Sequence, residues 1–401
     1  FMVRYHKIAA WAAVQKLAGL QELAPSLLRF ISDERTLFTA WVHLETHGGQ
    51  APGPDAYRYD KFTQLEVWQF CRIYRDLIRS GAYTLSEETL YRIPKASGQG
   101  HRQLVLQSIF DRVVSRATVE ILQPLLDPLF DPRSFGYRPK TGCLPALACA
   151  TKLCRDKQRN VWVSVDIANA FPNVPLGRLL GVLRKYFPNE QLLAFLKTST
   201  LPDKTPGLRQ GNPLSPLLLN LYLHHLVDRP WRELCPKIPL LRYADDILLL
   251  CRHEKQAKHA YQTLAKLLQA AGFALKETVA DAVTTLEKGA KLQWLGFGIE
   301  STGSELKYTV TNAAWASLTE QLALAQSRPN SALAARNTIA AWVVSKGPCY
   351  RHTNQQWAYA RIAQLAAAKG FAKIMTPKEL KNSWQAASAR WHKLLKHEFA
   401  A

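Results

Sequence analysis

The sequence predicts an α+β protein in which a few buried strands are separated by longer helical segments. One observation is the run VWVSVDI at residues 161–167, whose β-branched residues are typical of a buried strand. A second is LLRYADDILLLCR at residues 240–252, where two apolar runs meet at a polar turn and predict a hairpin. Much of the remaining chain has apolar residues at helical spacing, so we expect helices to cover the sheet.

The N-terminal part of the chain is expected to be helical, with one hairpin. Its expected elements are helices over residues 1–48 and 62–80, a strand, Gly-rich turn and strand over residues 89–104, and a helix over residues 111–126. The first helical segment ends at the breaker GGQAPGPD, residues 48–55, where Gly and Pro interrupt the periodicity.

Helices also dominate the rest of the chain. They are expected near residues 176–186, 190–198, 214–229 and 255–271, with the aspartate hairpin between the last two. Beyond QWLGFGI at residues 293–299 the chain is rich in alanine and reads as helix to its end.

The charge balance indicates a polyanionic partner. The chain of 401 residues has 52 Lys and Arg against 31 Asp and Glu, a formal net charge of +21, while its 47% hydrophobic content is that of an ordinary globular protein. Such an excess of positive charge repels itself in a compact fold and most often serves nucleic acid.

The cysteine pattern and the hydropathy exclude several other classes of protein. Seven cysteines occur without CxxC pairs, which argues against a disulfide framework and a structural zinc site. Neither a signal peptide nor an apolar run of about 18 residues is present, so no membrane association is expected. We therefore expect a reduced, cytoplasmic protein.

Three carboxylates stand at strand ends and require a partner. Asp166 ends the strand VWVSVD, and Asp245 and Asp246 lie at the turn of the predicted hairpin. Buried carboxylates cost several kcal/mol each unless they are paired, protonated or bound to a metal. Mg²⁺ prefers such oxygen ligands, and two ions about 3.5–4 Å apart support phosphoryl transfer. From spacing alone, a solvated turn remains an equal alternative.

Six sequence blocks, in order, resemble the prokaryotic reverse transcriptases, most closely their group II intron-like branch. The blocks are YRIPKASGQGHRQL (91–104), SFGYRPKTG (134–142), VSVDIANAF (163–171), GLRQGNPLSPLLLNLYL (207–223), YADD (243–246) and WLGF (294–297). The resemblance implies a right-hand polymerase fold with fingers, a ferredoxin-like palm and a helical thumb. It suggests an N-terminal helical extension over residues 1–60, fingers with part of the palm over 61–160, a palm over 161–300 and a thumb over 301–401.

The resemblance also implies a two-metal active site. Asp166, Asp245 and Asp246 are its expected catalytic residues. Asp166 and Asp245 would hold two Mg²⁺ ions, for which Mn²⁺ can substitute, with the Ile167 carbonyl as a further ligand and Asp246 in support. The implied reaction is attack of a primer 3′-hydroxyl on the α-phosphate of a dNTP, with release of pyrophosphate.

Four residues match positions that contact the incoming nucleotide in this family. Lys95 and Arg102 match its triphosphate contacts, Phe171 matches the bulky residue beneath the sugar, and Gln210 matches a residue near nucleotide and template. The alternatives are surface cations for the first two and a plain core aromatic for Phe171.

Four further residues match the template and primer contacts of the family. Tyr137 and Arg138 combine base stacking with a backbone contact, and Trp294 and Gly296 belong to the hairpin that holds the primer end. WLGF could equally be core, and neighbouring Lys140 could belong to a solvated turn. In FALKET the spacing before Lys276 is shorter than usual, which puts in doubt the family role of this lysine as proton donor to pyrophosphate.

The resemblance implies an RNA-directed DNA polymerase that uses dNTPs and an RNA template to make a DNA product. About 100 residues follow WLGF and contain no Cys cluster, which favours a stand-alone enzyme copying a structured non-coding RNA in antiviral defence. A group II intron maturase is the alternative within the family, and an RNA-binding scaffold is the alternative outside it. The three aspartates argue against a scaffold, which needs no buried charges.

Overall fold

The computed structural model describes residues 2–94, 101–200, 206–328, 330–397 and 399, and it shows the α+β right hand. The helices are α1 (Met2–Val14), α2 (Lys16–Ile31), α3 (Glu34–His47), α4 (Gln64–Ser80), α5 (Ile109–Leu126), α6 (Cys143–Lys157), α7 (Leu176–Tyr186), α8 (Glu190–Thr200), α9 (Ser215–Leu223), α10 (Arg229–Leu234), α11 (Glu254–Ala270), α12 (Val279–Ala282), α13 (Asn312–Gln326), α14 (Ser331–Ser345), α15 (Gln355–Ala367) and α16 (Pro377–Lys396). Over the described residues, none of these helices is both long and apolar enough to cross a membrane.

The strands form three antiparallel sheets, one each in the fingers, the palm and the region before the thumb. They are β1 (Thr89–Pro94), β2 (His101–Leu106), β3 (Val161–Asp166), β4 (Leu240–Tyr243), β5 (Asp246–Cys251), β6 (Val283–Thr285), β7 (Lys291–Trp294), β8 (Phe297–Ser301) and β9 (Leu306–Val310).

The palm sheet has the strand order β4-β5-β3-β6. β3 pairs antiparallel with β5 and with β6, and helices connect β3 to β4 and β5 to β6. This β-α-β-β-α-β succession and strand order are those of the ferredoxin-like fold, which confirms the predicted palm. The predicted aspartate hairpin is the β4–β5 pair.

Both faces of the palm sheet are buried, which explains the nearly continuous apolar runs of its strands. Val163 of β3 belongs to a core shared with the N-terminal helices and α5, while its neighbour Trp162 belongs to a second core shared with α6 and the thumb helices. Successive strand residues point to opposite faces, so a strand covered on both sides has no polar face.

The N-terminal helices belong to the main core, whereas the sequence predicted an extension over residues 1–60. Leu27 of α2 and Trp41 of α3 are almost fully buried in the same hydrophobic cluster as α4, α5 and the palm. The Tyr5 hydroxyl donates a hydrogen bond to the Ile121 carbonyl in α5. The apolar faces of α1–α3 are covered by the fingers and cannot be separated from them without exposing this surface.

The fingers hairpin is tied to the palm through the GLRQG loop. The backbone N–H of Val105 in β2 donates to the Gln210 carbonyl at 2.7 Å. The next residue, Gly211, has a φ of +117°, and a Cβ there would collide with the Val105 carbonyl. Glycine is therefore required for the two backbones to meet.

The segment QWLGFGI forms the β7–β8 hairpin in front of the thumb. Its two turn residues, Leu295 and Gly296, have φ of 48° and 78°, as a two-residue type I′ turn requires. The thumb behind it consists of α13–α16, whose buried core includes Trp315, Trp342 and Trp384.

Leu27→Ala tests whether the N-terminal helices share one core with the fingers. Because Leu27 is fully buried, we expect the free energy of unfolding to fall by about 2–5 kcal/mol. The measurement is urea denaturation followed by both circular dichroism and tryptophan fluorescence, and both signals should shift together. Glu22→Ala, at an exposed position of α2, should change the stability by no more than about 0.5 kcal/mol. A separate early transition confined to part of the helical signal would show an independent extension instead.

Candidate active site

Asp166 and Asp246 are direct neighbours across the palm sheet. Asp166 is the last residue of β3 and Asp246 is the first residue of β5, and the antiparallel register pairs them. Residues opposite each other in such a pair project to the same face, with Cβ atoms about 4.5–5.5 Å apart. The structure therefore brings the first aspartate and the YADD hairpin together.

Asp245 lies in the two-residue turn between β4 and β5. The other turn residue, Ala244, has a φ of 59°, a left-handed conformation that costs a non-glycine residue about 1–2 kcal/mol. The Ile167 N–H donates to the Asp245 carbonyl at 3.0 Å, which ties the turn to the end of β3. On its other side Ile167 forms an isolated antiparallel bridge with Leu275. The hydrogen bonds of this bridge are made by the adjacent residues, since the Ala168 N–H donates to the Ala274 carbonyl and the Lys276 N–H donates to the Asp166 carbonyl. Both backbone groups of Ile167 therefore point towards the turn.

A buried arginine supports this turn from the interior. Arg242 in β4 is fully buried, and its Nε and Nη2 donate to the two carboxylate oxygens of Asp228 at 2.9 and 2.6 Å. Its Nη1 donates to Asn220 Oδ1 at 2.8 Å and to the Ala244 carbonyl at 3.0 Å. The bidentate pair neutralises the buried charge. The bond to Ala244 stabilises the left-handed turn that carries Asp245.

A π turn at His224–Asp228 interrupts the helix that the sequence predicted over residues 214–229. Asn220 and Asp228 are eight positions apart, which in a regular α-helix separates their directions by about 80°. The extra residue of the π turn makes the spacing equivalent to about seven, and the directions then differ by only about 20°. Both side chains can therefore face Arg242.

The segment after α11 brings two charged residues to Asp166. Lys276 Nζ donates to Asp166 Oδ2 at 2.5 Å, and the Asp166 N–H donates to Glu277 Oε2 at 2.7 Å. Burial lowers the pKa of Lys276, but the hydrogen bond and charge of Asp166, with the other nearby carboxylates, raise it overall. Despite the shortened spacing in FALKET, this lysine reaches the carboxylates.

Asp246 is held by a tryptophan from the β7–β8 hairpin. Trp294 is only 2% exposed, and its Nε1–H donates to Asp246 Oδ1 at 2.8 Å. Burial raises the pKa of Asp246 to about 7, and the negative charge of Asp166 adds to the rise while the Trp294 hydrogen bond opposes it. Negative charge is therefore crowded at this end of the sheet.

The carboxylates suit a hard divalent cation. Asp166, Asp246 and Glu277 line a cleft of about 220 Å³ between the palm and the β7–β8 hairpin. Carboxylate and carbonyl oxygens are the donors that Mg²⁺ and Mn²⁺ prefer, and a cation would relieve the crowding that raises the pKa of Asp246. Over the described part of the chain, no three His, Cys, Asp or Glu side chains are grouped closely enough to hold an ion, and Lys276 occupies one oxygen of Asp166. The fit therefore rests on donor chemistry and charge.

Phe171 and Tyr137 meet beside the GLRQG loop. The Phe171 side chain is 9% exposed, and its ring lies edge-on to the Tyr137 ring with 6.4 Å between centroids. The Leu208 N–H donates to the Phe171 carbonyl at 2.7 Å, which places the loop of Gln210 against this corner. Tyr137 is 51% exposed and so is accessible to a ligand.

The side chains of the two predicted triphosphate contacts lie outside the described part of the structure. Lys95 lies outside the described residues, and so does the side chain of Arg102. The backbone of Arg102 belongs to β2, opposite Ile93.

Arg138 is not available to a template, contrary to the sequence-based assignment. Its Nε pairs with Asp127 Oδ1 at 2.7 Å, and its other nitrogens donate to the carbonyls of Asp127, Asp131 and Ser134. The side chain is 9% exposed. The arginine instead organises its own loop, because an arginine with this many internal acceptors has few donors left for a ligand.

Trp294 and Gly296 have different surroundings although they share one hairpin. The buried Trp294 side chain bonds to Asp246 and cannot touch a primer directly, so its predicted contact is corrected to support of a carboxylate. Gly296 is exposed at the turn, with open space where a Cβ would lie. The predicted primer contact thus remains a proposal for Gly296 alone.

Several residues of the site were not predicted from the sequence. Arg242 lies in an apolar strand, and Asn220 lies in the apolar run LLLNLYL. Because burying an unpaired polar group is costly, these two positions could have been used to predict that each side chain has a polar partner in the core. That partner, Asp228, could not be identified without the π turn. Glu277 carries no such signal, because its position in FALKET is polar and unremarkable.

Comparison with known proteins gives one matching family. Residues 93–299, just over half of the chain, match the family described as reverse transcriptase (RNA-dependent DNA polymerase). All the carboxylates of the cleft lie inside this range.

Two curated relatives show how far the similarity extends. Protein YkfC of Escherichia coli K12 is 26% identical over 293 residues, which cover 62% of this chain and 75% of the relative. The group II intron-encoded protein LtrA of Lactococcus lactis subsp. cremoris is 28% identical over 219 residues, which cover 52% of this chain and 35% of the relative. The alignment therefore spans three quarters of one relative and about a third of the other.

A solved telomerase from Candida albicans, in complex with a fragment of telomeric RNA, is a more distant neighbour. It has a TM-score of 0.43 and 12% identity, with 78% of this chain and 63% of that chain covered. A likeness this weak carries no functional argument.

Trp294→Phe tests the role of the indole N–H beside the carboxylates. The substitution keeps an aromatic ring in the core but removes the hydrogen bond to Asp246, so we expect kcat for dNTP incorporation to fall by about 10–100-fold, the usual effect of losing a group that orients a ligand. KM for the dNTP should change little. The measurement is steady-state incorporation on a primed RNA template.

Trp384→Phe is the matched control. Trp384 is also fully buried, but its indole N–H has no hydrogen-bond partner among the described residues. The same chemical change should therefore leave kcat unaltered. Equal losses in both variants would show that Trp294 acts only through packing.

Proposed function

Because this chain belongs to the family of reverse transcriptases, the RNA-dependent DNA polymerases, we propose that it extends a primer 3′-hydroxyl with dNTPs on an RNA template. The observation that carries this proposal is the pairing of Asp166 with Asp246 across the palm sheet, with Asp245 in the adjoining turn and a single lysine, Lys276, bonded to Asp166. A structural turn has no need of so much unbalanced charge.

The reaction joins the primer to the α-phosphate of the nucleotide. The 3′-hydroxyl gives up its proton to solvent and its oxygen forms a bond to the α-phosphorus. The bond from that phosphorus to the bridging oxygen of the β-phosphate breaks, and pyrophosphate leaves. When bound, two Mg²⁺ ions would stabilise the attacking and leaving oxygens, and Asp166, Asp245 and the Ile167 carbonyl are the groups that would hold them.

The protein itself orients these groups. Arg242 holds the turn of Asp245, Trp294 holds Asp246, and Lys276 holds one oxygen of Asp166. Since the Lys276 ammonium is committed to this ion pair, we assign it to positioning Asp166 rather than to protonating pyrophosphate.

The nucleotide would lie between the fingers and Phe171. Lys95 and Arg102 remain proposed triphosphate contacts on the basis of their motif positions, and the strand β2 that contains Arg102 is tied to the Gln210 loop. Gln210 and the exposed Tyr137 are proposed to contact nucleotide and template beside Phe171. These assignments rest on the motif positions and on the proximity of Tyr137, Phe171 and the loop.

The proposed template is a structured non-coding RNA copied in antiviral defence, in the cytoplasm. The net charge of +21 supports a large nucleic-acid partner, and the free state of all seven cysteines is consistent with a reducing compartment. The alternative is a maturase that acts mainly in RNA splicing or assembly, which the similarity to a group II intron-encoded protein favours. Sequencing the RNA that co-purifies with the protein distinguishes a dedicated RNA from an intron.

Asp166→Asn and Asp245→Asn test the catalytic assignment. Each removes one negative charge without changing side-chain volume, so we expect dNTP incorporation to be lost while RNA binding and the melting temperature stay nearly unchanged. Asp156→Asn removes a carboxylate from the exposed face of α6 and should polymerise normally. Incorporation by either active-site variant at the wild-type rate would refute the two-metal assignment.

Phe171→Ala tests the choice of sugar. A ring beneath the sugar leaves no room for a 2′-hydroxyl, so the wild type should prefer dGTP strongly over GTP, and the variant should lose about 1–3 kcal/mol of this preference. The measurement is the ratio of kcat/KM for the two nucleotides on one primed RNA template. This ratio does not depend on the folded fraction, so the cavity that the substitution leaves does not obscure the result. An unchanged ratio would show that Phe171 is a core aromatic and does not contact the sugar.

A further inference from the structure

A large charged concavity lies on the N-terminal helices, apart from the cleft of the carboxylates. It is a cleft of about 950 Å³ between α2, α3 and α4, outside residues 93–299 that match the family. Five arginines line it, and we call it the arginine cleft: Arg29, Arg35, Arg72, Arg75 and Arg79. It shares no lining residue with the cleft of the carboxylates.

The arginine cleft has an excess of positive charge. Asp33 and Glu34 are the acidic residues among its lining, and Asp76 beside the cleft pairs with Arg75, so three carboxylates balance part of the five guanidinium charges and two positive charges remain in excess. Glu34 pairs with Arg75 and with Arg72, the latter at 3.7 Å. The Asp33 carboxylate accepts from the Arg35 backbone N–H at 3.0 Å and caps α3. An excess of positive charge in one concavity repels itself in the free protein and attracts anions, so the cleft is suited to an anionic ligand.

The inner wall of the cleft is aromatic. Phe30 and Trp68 are half-buried lining residues, and Trp68 stacks on Phe38 with ring centroids 4.4 Å apart and planes 7° apart. The stack holds the indole in one orientation. A fixed aromatic surface beside arginines is suited to an unpaired base whose phosphates meet the guanidinium groups.

The size of the cleft favours a chain of nucleotides over a single small anion. Its volume is at the upper end of the range of about 300–1,000 Å³ for drug-sized ligands. Arginine, with its planar fork of donors, is the residue that best matches phosphate groups in two-point contacts.

We propose that the arginine cleft is a second RNA-binding site, which takes the phosphate backbone of an unpaired segment of the RNA partner and stacks one of its bases on the aromatic wall. This inference rests on the proposed function in that the partner is RNA. The site would retain the RNA while the palm copies another part of it, because the two clefts are separate.

Deleting the N-terminal helices would not test the proposal, because they form part of the main core. The exposed residues Arg29 and Arg35 can instead be changed together to glutamine, which removes the two positive charges and keeps polar side chains. Neither takes part in an ion pair within the described regions of the chain. Lys258→Gln with Lys266→Gln, both exposed on α11, is a control that removes the same charge elsewhere.

The measurement is the affinity of the full chain for a labelled RNA hairpin with an unpaired loop, over a range of salt concentrations. For the Arg29→Gln, Arg35→Gln variant we expect the slope of log K against log salt to fall by about 1–2, since each lost phosphate contact removes about 0.7–0.9. The control pair should retain the wild-type slope. Extension of a primed homopolymer at saturating template should be unchanged in both.

Trp68→Leu tests the base contact separately. It keeps an apolar side chain against Phe38 but removes the flat ring, so binding of the looped hairpin should weaken by about 5-fold or more, while binding of a blunt RNA duplex should not change. A variant that weakens both RNAs equally would show that stacking plays no part.

The outcomes separate this proposal from the proposed function. A wild type that binds the hairpin through the cleft but never incorporates dNTPs would overturn the polymerase function and leave the cleft assignment intact. A polymerising wild type whose Arg29→Gln, Arg35→Gln variant matches the control pair in slope and affinity would overturn the cleft assignment. So would a variant that loses binding only to vesicles of anionic phospholipid, because the ligand would then be a membrane.

Discussion

The buried ion pair between Arg242 and Asp228 is the interaction on which the active site depends. A guanidinium with no solvent exposure is tolerated only where its charge is matched, and removing one partner of such a pair costs about 3–5 kcal/mol. Nη1 of the same arginine also donates to the Ala244 carbonyl in the turn of the aspartate hairpin. The position of Asp245 is therefore set by a contact in the interior of the palm, on the far side of the turn from any substrate.

The same arginine connects three parts of the chain. Its backbone accepts from Phe135 and donates to the Arg133 carbonyl, so the SFGYRP segment runs beside β4. Asn220, which accepts from the Arg242 side chain, donates in turn to the Gly136 carbonyl. A Cβ at Gly136 would collide with the backbone of the YADD turn, so glycine is needed for this approach. The SFGYRP segment, helix α9 and the aspartate hairpin are therefore in contact with one another at Arg242.

The net charge of the whole chain and the local charge at the end of the palm sheet have opposite signs. Over the whole chain positive charge is in large excess, which draws nucleic acid from a distance. At the end of the palm sheet the sign is reversed, and crowding with burial raises the pKa of Asp246 to about 7. We therefore propose that attraction of a polyanion and binding of divalent cations involve different surfaces. The arginine cleft extends this division, since it concentrates positive charge on helices that contribute nothing to the carboxylates.

The sequence by itself determined the fold class, the palm strands, most helices and the three aspartates, because each depends on local periodicity or on a short contiguous motif. The tertiary structure decided what those residues touch. Arg138 lies within a recognised motif yet turns inward to Asp127, and Trp294 supports a carboxylate instead of a primer. Lys276 meets Asp166 across 110 positions of sequence. Such contacts depend on how strands and helices pack. In a packed core the direction of a side chain is set by neighbours that are distant in the sequence, and the local sequence pattern contains no information about those neighbours.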